Sequence, residues 1–183
     1  MCITYQEGLA MRDAGNMRKL VTSPWYQSYW PEVQLSDDQN TKERFNTSDG
    51  GFRFSTTTRA VVLGEGADFI IWDDPLNAMK MNSRAELDEA KMLYSGVLPM
   101  RRNDFKRSCL ILAMQRLHID DPAGVVLKQK PRGLVHLCLP MEFETSRRCE
   151  TRIGWKDPRT EEGELLWPSR FDADDLESIK SQY

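Results

Sequence analysis

The sequence predicts an α/β protein in which helices flank a mostly parallel sheet and a β-hairpin is inserted. Three features lead there. Ala67-Asp68-Phe69-Ile70-Ile71-Trp72-Asp73-Asp74-Pro75 runs four consecutive apolar residues into two carboxylates and a proline, and Cys109-Leu110-Ile111-Leu112-Ala113-Met114 is a second unbroken apolar run. Runs without alternation predict strands covered on both faces, as parallel sheets require. Between them Ser83, with Glu86 three residues on, predicts a capped helix to about Leu98. Strand, helix and strand then form one βαβ unit that releases polar residues at a shared edge.

Composition narrows the class. The 183 residues suffice for one large domain or a domain with a tail. With 25 basic against 28 acidic side chains, no global positive field marks a nucleic-acid binder, so any DNA contact would need a local patch. Cys2, Cys109, Cys138 and Cys149 lack CxxC spacing and a paired histidine. They read as free thiols of a reducing cytoplasm, with Cys109 and Cys138 in the core. Apolar stretches fall far short of a membrane span and no signal peptide precedes them, so a soluble, cytoplasmic protein with no membrane partner is expected.

In chain order, Met1 to Tyr5 reads as a short strand, and Gln6 to Ser23 as a helix with Leu9, Ala10, Met17, Leu20 and Val21 at helical spacing. Ser23-Pro24 ends it. Trp25-Tyr26-Gln27-Ser28-Tyr29-Trp30-Pro31 holds four aromatics with no interleaved base, which predicts a packing knot between helix and sheet rather than a platform for nucleobases. Gln34 to Asn40 reads as a polar turn. Asn46 to Gly51, between Arg44-Phe45 and the alternating Phe52 to Thr58, predicts the hairpin. Gly64-Glu65-Gly66 is a turn, since no Gly-Lys-Ser/Thr follows it.

Beyond the first helix of the βαβ unit, Met100 to Arg107 carries four cations in eight residues and reads as a solvated loop. Gln115-Arg116-Leu117-His118-Ile119-Asp120-Asp121 then emerges at the second strand's carboxyl end. Asp120-Asp121-Pro122 caps a helix to about Gln129, and Gly133 to Pro140 reads as a third strand with His136 a satisfied core histidine. His118, beside the crevice, is a candidate donor or base. From Glu142 the chain turns charged and loses its apolar period, until Asp172 to Lys180 forms a last helix opened by acids. Residues 1–143 therefore read as the core and 144–183 as a charged linker with a short C-terminal helix.

Two adjacent acids at a strand's carboxyl end have the layout of a Walker B element, where the first acid holds Mg²⁺ and the second polarises the attacking water. The order of the motifs resembles the ATPase domain of the large terminase subunit of tailed bacteriophages and prophages. Gly64 to Pro75, Arg101 to Asp104, Met114 to Gly124 and His136 to Phe143 carry the resemblance. Thr4 to Ala10, Ser23 to Tyr26, Trp30-Pro31 and Gly163 to Phe171 extend it over nearly all of residues 3–180.

The resemblance implies a P-loop NTPase-like sheet, incomplete at the N-terminus: the Walker A loop would lie upstream of Ile3 and the nuclease domain beyond Tyr183. It implies Asp73 as the Mg²⁺ ligand, Asp74 as the catalytic carboxylate, ATP as the nucleotide, and Gln115 with Arg116 as the coupling motif that senses the γ-phosphate. His118, Asp120 and Asp121 continue that run without defined roles. Asp74 stands where relatives of other branches carry Glu, and Arg59-Ala60 and Leu63 where relatives often carry a glycine pair and a threonine. The implied partners are double-stranded viral DNA, the small terminase subunit, the portal protein and further copies in a ring, with an exposed sheet edge as a route to self-association. Without the phosphate cradle and its lysine, negligible turnover is expected. The alternatives are a catalytically inactive prophage remnant or interaction module that binds a partner terminase subunit and, more remotely, a nuclease using Asp73, Asp74, Asp120 and Asp121 as a two-metal cluster.

Overall fold

The computed structural model describes residues 1–60 and 64–182, so Leu63, singled out in the resemblance above, lies outside the described residues. The chain divides into two compact units, Met1–Gln129 and Lys130–Tyr183.

The first unit is α/β. Its strands are β1 (Cys2–Thr4), β2 (Leu35–Asn40), β3 (Arg44–Thr47), β4 (Phe52–Thr57), β5 (Phe69–Asp73) and β6 (Cys109–Ala113), and its helices α1 (Glu7–Val21), α2 (Pro24–Tyr29), α3 (Arg84–Met92) and α4 (Pro122–Gln129). One sheet holds all six strands in the order β2-β3-β4-β1-β5-β6. β4, β1, β5 and β6 run parallel, while the predicted hairpin β3–β4 and the β2–β3 pair are antiparallel.

The core forms where helices meet the sheet. α1 turns Ala10, Ala14 and Val21 inward and packs on β1 and β4, its small side chains allowing a close approach. Ile3, Ile70 and Trp72 are fully buried, each contributing about 1.5–3 kcal/mol by leaving water. The Trp72 indole N–H donates to Thr58 Oγ1 at 3.2 Å, so the ring is buried without stranding its polar atom. Ser83 caps α3 by accepting from the Glu86 amide, and a π-helical turn over Leu93–Val97 carries the chain on to Leu98, near the expected end.

Several expectations are corrected here. β5 is covered on one face only: Ile70 and Trp72 are buried, whereas Phe69 is 61% exposed and Asp73 is open to solvent. β6 is the edge strand, and Cys109, Ile111 and Ala113 are exposed along it, so Cys109 is not a core thiol. Gln34 to Asn40 is not a turn but mostly the strand β2, whose polar residues suit a sheet edge. The aromatic segment is the short helix α2, capped by Ser23. Its rings pack on one another, Tyr26 against Trp30 at 4.9 Å and Trp25 against Tyr29 at 5.5 Å, but Trp25 and Tyr29 are more than half exposed. The knot is tied within the segment.

The second unit is irregular apart from α5 (Ala173–Lys180), opened by a reciprocal cap between Asp172 and Asp175. Its centre is a buried ion pair, with Arg159 donating to Asp157 at 2.7 and 3.0 Å and to the carbonyls of Pro140 at 2.9 Å and Glu164 at 3.1 Å. The guanidinium also lies over the Phe143 ring. Because the Phe143 and Leu166 amides bond to Glu164 and Met141, residues 140–143 belong to this unit, and the division falls after Gln129 rather than at the expected 143. Gly133 to Pro140 forms no strand. His136 and Cys138 are exposed within it, which corrects their reading as core residues.

Candidate active site

Register brings the predicted acids to a defined edge. Ile3 pairs with Trp72, which sets Thr4 beside Asp73, and Trp72 and Asp73 pair with Leu112 and Ala113. The carboxyl ends of β1, β5 and β6 therefore lie side by side. From β1 the chain proceeds to β4 on one side, and from β5 through α3 to β6 on the other, so neighbouring strands send their connections in opposite directions. In open α/β sheets such a switch point is where ligands bind. Asp73 stands on it.

Asp73 and Asp74 are both exposed. Asp74 has φ of 43°, in the left-handed region that Asp tolerates better than most residues, and its amide donates to the Ala113 carbonyl at 2.9 Å. This bond ties the β5 tip to the β6 tip while buried Pro75 turns the chain away. The Asp73 carboxyl is pushed above the usual carboxylate range, first by burial, then by Asp74 and by Asp13 of α1, with Arg12 opposing. Arg12 and Asp13 bond to each other at 2.8 Å.

The sequence reading missed Arg12 and Asp13. The β1–α1 connection was the available signal, because a helix that starts just after Thr4 must rise from the same edge as Asp73. Thr58, just beyond the end of β4, was also missed. Its hydroxyl lies 3.4 Å from both the Thr4 and Pro75 carbonyls and accepts from Trp72, joining three segments of the edge.

A divalent cation suits this arrangement. A carboxyl held above its ordinary pKa by burial and a neighbouring acid, as Asp73 is, gains from a positive charge beside it. Among the described residues no group of three or more His, Cys, Asp or Glu is arranged to hold a metal ion. Mg²⁺ does not need one, since it binds through one or two carboxylates and fills its octahedron with water and phosphate oxygens. Asp73 and Asp74 are the residues that would hold such an ion.

The segment after β6 is organised by Asp121. Its side chain is fully buried and accepts from the amides of Gly124 at 2.7 Å, Leu117 at 2.9 Å and His118 at 3.2 Å, and from Arg116 Nε at 3.1 Å. Burial alone would raise this carboxyl, but those amides and the guanidinium together hold it below the usual range. Asp121 thus caps α4 and shapes the loop, and Arg116 is held in place by it. His118 Nδ1 accepts from the Asp120 amide at 3.0 Å. Gln115 is exposed at the β6 tip.

The four-acid nuclease cluster does not assemble. Asp121 is consumed by backbone donors, and Asp120 lines a separate cavity of about 280 Å³ between α3 and α4, with Asp88, Lys91 and Lys128. Arg59 pairs with Glu86 and Glu89 of α3 and so takes a structural role. No helix among the described residues is long and apolar enough to cross a membrane. Compared with known proteins, the chain matches no family model and no curated protein.

Proposed function

We propose that this chain is the Walker B and coupling-motif portion of the ATPase of a phage DNA-packaging terminase large subunit, a motor that couples ATP hydrolysis to translocation of viral DNA into the capsid. The observation that carries the reading is the parallel, in-register pairing of β5 and β6, which brings Asp73-Asp74 and the segment that starts at Gln115-Arg116 to one edge of a mostly parallel sheet. Asp73 would hold Mg²⁺, which would supply positive charge to the nucleotide phosphates. Asp74 orients the attacking water and receives its proton. Arg116, whose side chain is half exposed, would respond to the γ-phosphate together with Gln115. Double-stranded viral DNA, the small terminase subunit and the portal protein are the partners this reading implies.

Residues 1–183 contain no Gly-Lys-Ser/Thr loop, so the test supplies one on a second polypeptide. The test measures Mg²⁺-dependent ATP hydrolysis by residues 1–183 with and without a polypeptide carrying such a loop. Negligible turnover alone, restored turnover together and its loss in Asp74→Asn are expected. Restored turnover indifferent to Asp74→Asn would sink the assignment. The engagement of Arg116 by Asp121 favours a second reading, an inactive prophage remnant that binds a partner terminase subunit. It predicts partner binding that survives Asp73→Asn and no hydrolysis under any combination.

A further inference from the structure

Two of the four thiols share one cavity in the second unit. Cys138 and Cys149 both line a cleft of about 270 Å³, with His136, Arg147, Arg148 and Glu150 around it, and every lining residue belongs to that unit. Cys149 is buried and its Sγ donates to the His136 carbonyl at 3.6 Å, so its sulfur lies against the backbone that leads, two residues on, to Cys138. Cys138 is exposed. The two are also held differently. The Cys149 carbonyl accepts from the Asp157 amide at 2.9 Å, and the neighbouring Arg148 donates to the Asp157 carbonyl at 2.7 and 2.9 Å, which fixes this thiol beside the buried Asp157–Arg159 pair. Among the described residues the amides from Val135 to Leu139 make no backbone hydrogen bond, so the segment around Cys138 can shift without losing one.

We propose that Cys138 and Cys149 form a redox pair that closes to a disulfide by exchange with a small disulfide bearing carboxylates. The Cys138 thiolate attacks one sulfur of the small disulfide, forms a mixed disulfide and expels the other half as a thiolate. The Cys149 thiol then gives its proton to water, and its sulfur attacks the Cys138 sulfur and expels the second half. Two protein thiols are oxidised and one small disulfide is reduced to two thiols, so electrons and protons balance. The order follows from access, because an incoming disulfide meets exposed Cys138 first and reaches buried Cys149 only through it. Closure needs Cα atoms about 5.5–6 Å apart, a separation to which the unbonded segment at Cys138 can adjust while Cys149 stays fixed. Charge selects the partner. Arg147, Arg148 and Lys156 stand here against Glu144 and Glu150, which leaves the opening net positive and favours carboxylates. The exposed Arg147–Glu144 pair at 2.9 Å contributes little, so a ligand carboxylate can replace Glu144 on Arg147. The site uses no residue of the Asp73 edge and is independent of the proposed nucleotide chemistry.

Mass spectrometry tests this on residues 1–183 carrying Cys109→Ser, incubated with oxidised glutathione and digested without reduction. A peptide joined at Cys138 and Cys149 is expected, and dithiothreitol should release it. Cys149→Ser should stop the reaction at glutathione on Cys138, whereas Cys138→Ser should leave Cys149 modified at least roughly tenfold more slowly than Cys138 is. Circular dichroism checks that each variant keeps its fold, and Cys149→Ala, which keeps the buried position apolar, replaces Cys149→Ser where the hydroxyl unfolds the unit. Arg147→Ala should slow the first step about threefold with oxidised glutathione and leave the rate with neutral hydroxyethyl disulfide unchanged. Two thiols that stay free overturn the proposal, as does glutathione on Cys138 that Cys149 never displaces, or a link to Cys2 instead. A Cys138–Cys149 link that forms no faster in the folded chain than in denaturing urea also overturns it, because the fold would then contribute nothing to bringing the thiols together. So does Arg147→Ala slowing both disulfides alike.

Discussion

At Asp121 burial and hydrogen bonding act in opposite directions, and bonding prevails because three amides and a guanidinium converge on one carboxylate. Asp121→Asn keeps the shape but loses the charge and one acceptor, so it should lower stability by about 1–3 kcal/mol, read from the denaturation midpoint. The pH dependence has a definite sign. Protonation costs the folded state more than the unfolded one, so the stabilisation is whole above the ordinary Asp value of about 3.9 and is lost as pH falls through the lower folded value. Acid titration of the wild type should show that loss, and the Asn variant should lack it. Asp73 behaves in the opposite way: its folded value is raised, so its ionised form is penalised at neutral pH and relieved as pH falls through that raised value. Asp73→Asn should therefore raise the Tm at pH 7 while removing any Mg²⁺-dependent turnover, the usual trade of stability against a functional site.

Among the elements, the β5 tip separates backbone demands from chemical ones. Asp74 lies at φ of 43°, where Asn is accepted as readily as Asp but a β-branched residue is strained. Asp74→Asn should leave the denaturation midpoint nearly unchanged, whereas Asp74→Val should cost about 1–2 kcal/mol. Loss of activity in the Asn variant would then report on the carboxylate and not on the fold. In the second unit α5 is eight residues long and its capping box satisfies amides that would otherwise be unpaired. Asp172→Ala should destabilise that helix by about 1 kcal/mol and lower helical circular dichroism at 222 nm.

For the whole molecule, the first unit contains every strand of the sheet and the connections between them. Residues 1–129 expressed alone should retain the α/β circular dichroism signature and a cooperative thermal transition; a non-cooperative melt would show that the sheet depends on later residues. The second unit follows another principle, with few strand-like pairings and a buried Asp157–Arg159 pair at its centre. Such a pair is weak evidence of net stability when intact, yet costly to break one partner at a time. Asp157→Ala should disorder this unit, leaving Arg159 buried without its partner, and proteolysis within residues 140–165 should accelerate.

The sequence by itself determined the βαβ unit, the hairpin, the cap at Ser83, the last helix opened by acids, and the side-by-side carboxyl ends of β5 and β6. Each of these rests on local chemistry or on a period readable along the chain. It did not determine which faces would be covered. An unbroken apolar run such as Phe69 to Trp72 or Cys109 to Met114 has the same pattern whether one face is buried or two, and only strand order reveals that β6 ends the sheet. Nor did it separate the carboxylates by role: Asp73 and Asp121 are both acids following an apolar run, and only the fold exposes one while surrounding the other with amides. Burial and hydrogen-bond partners are set by residues far apart in the chain. Arg12 and Asp13 reach Asp73 because β1 lies beside β5, and that adjacency exists only once the sheet has formed.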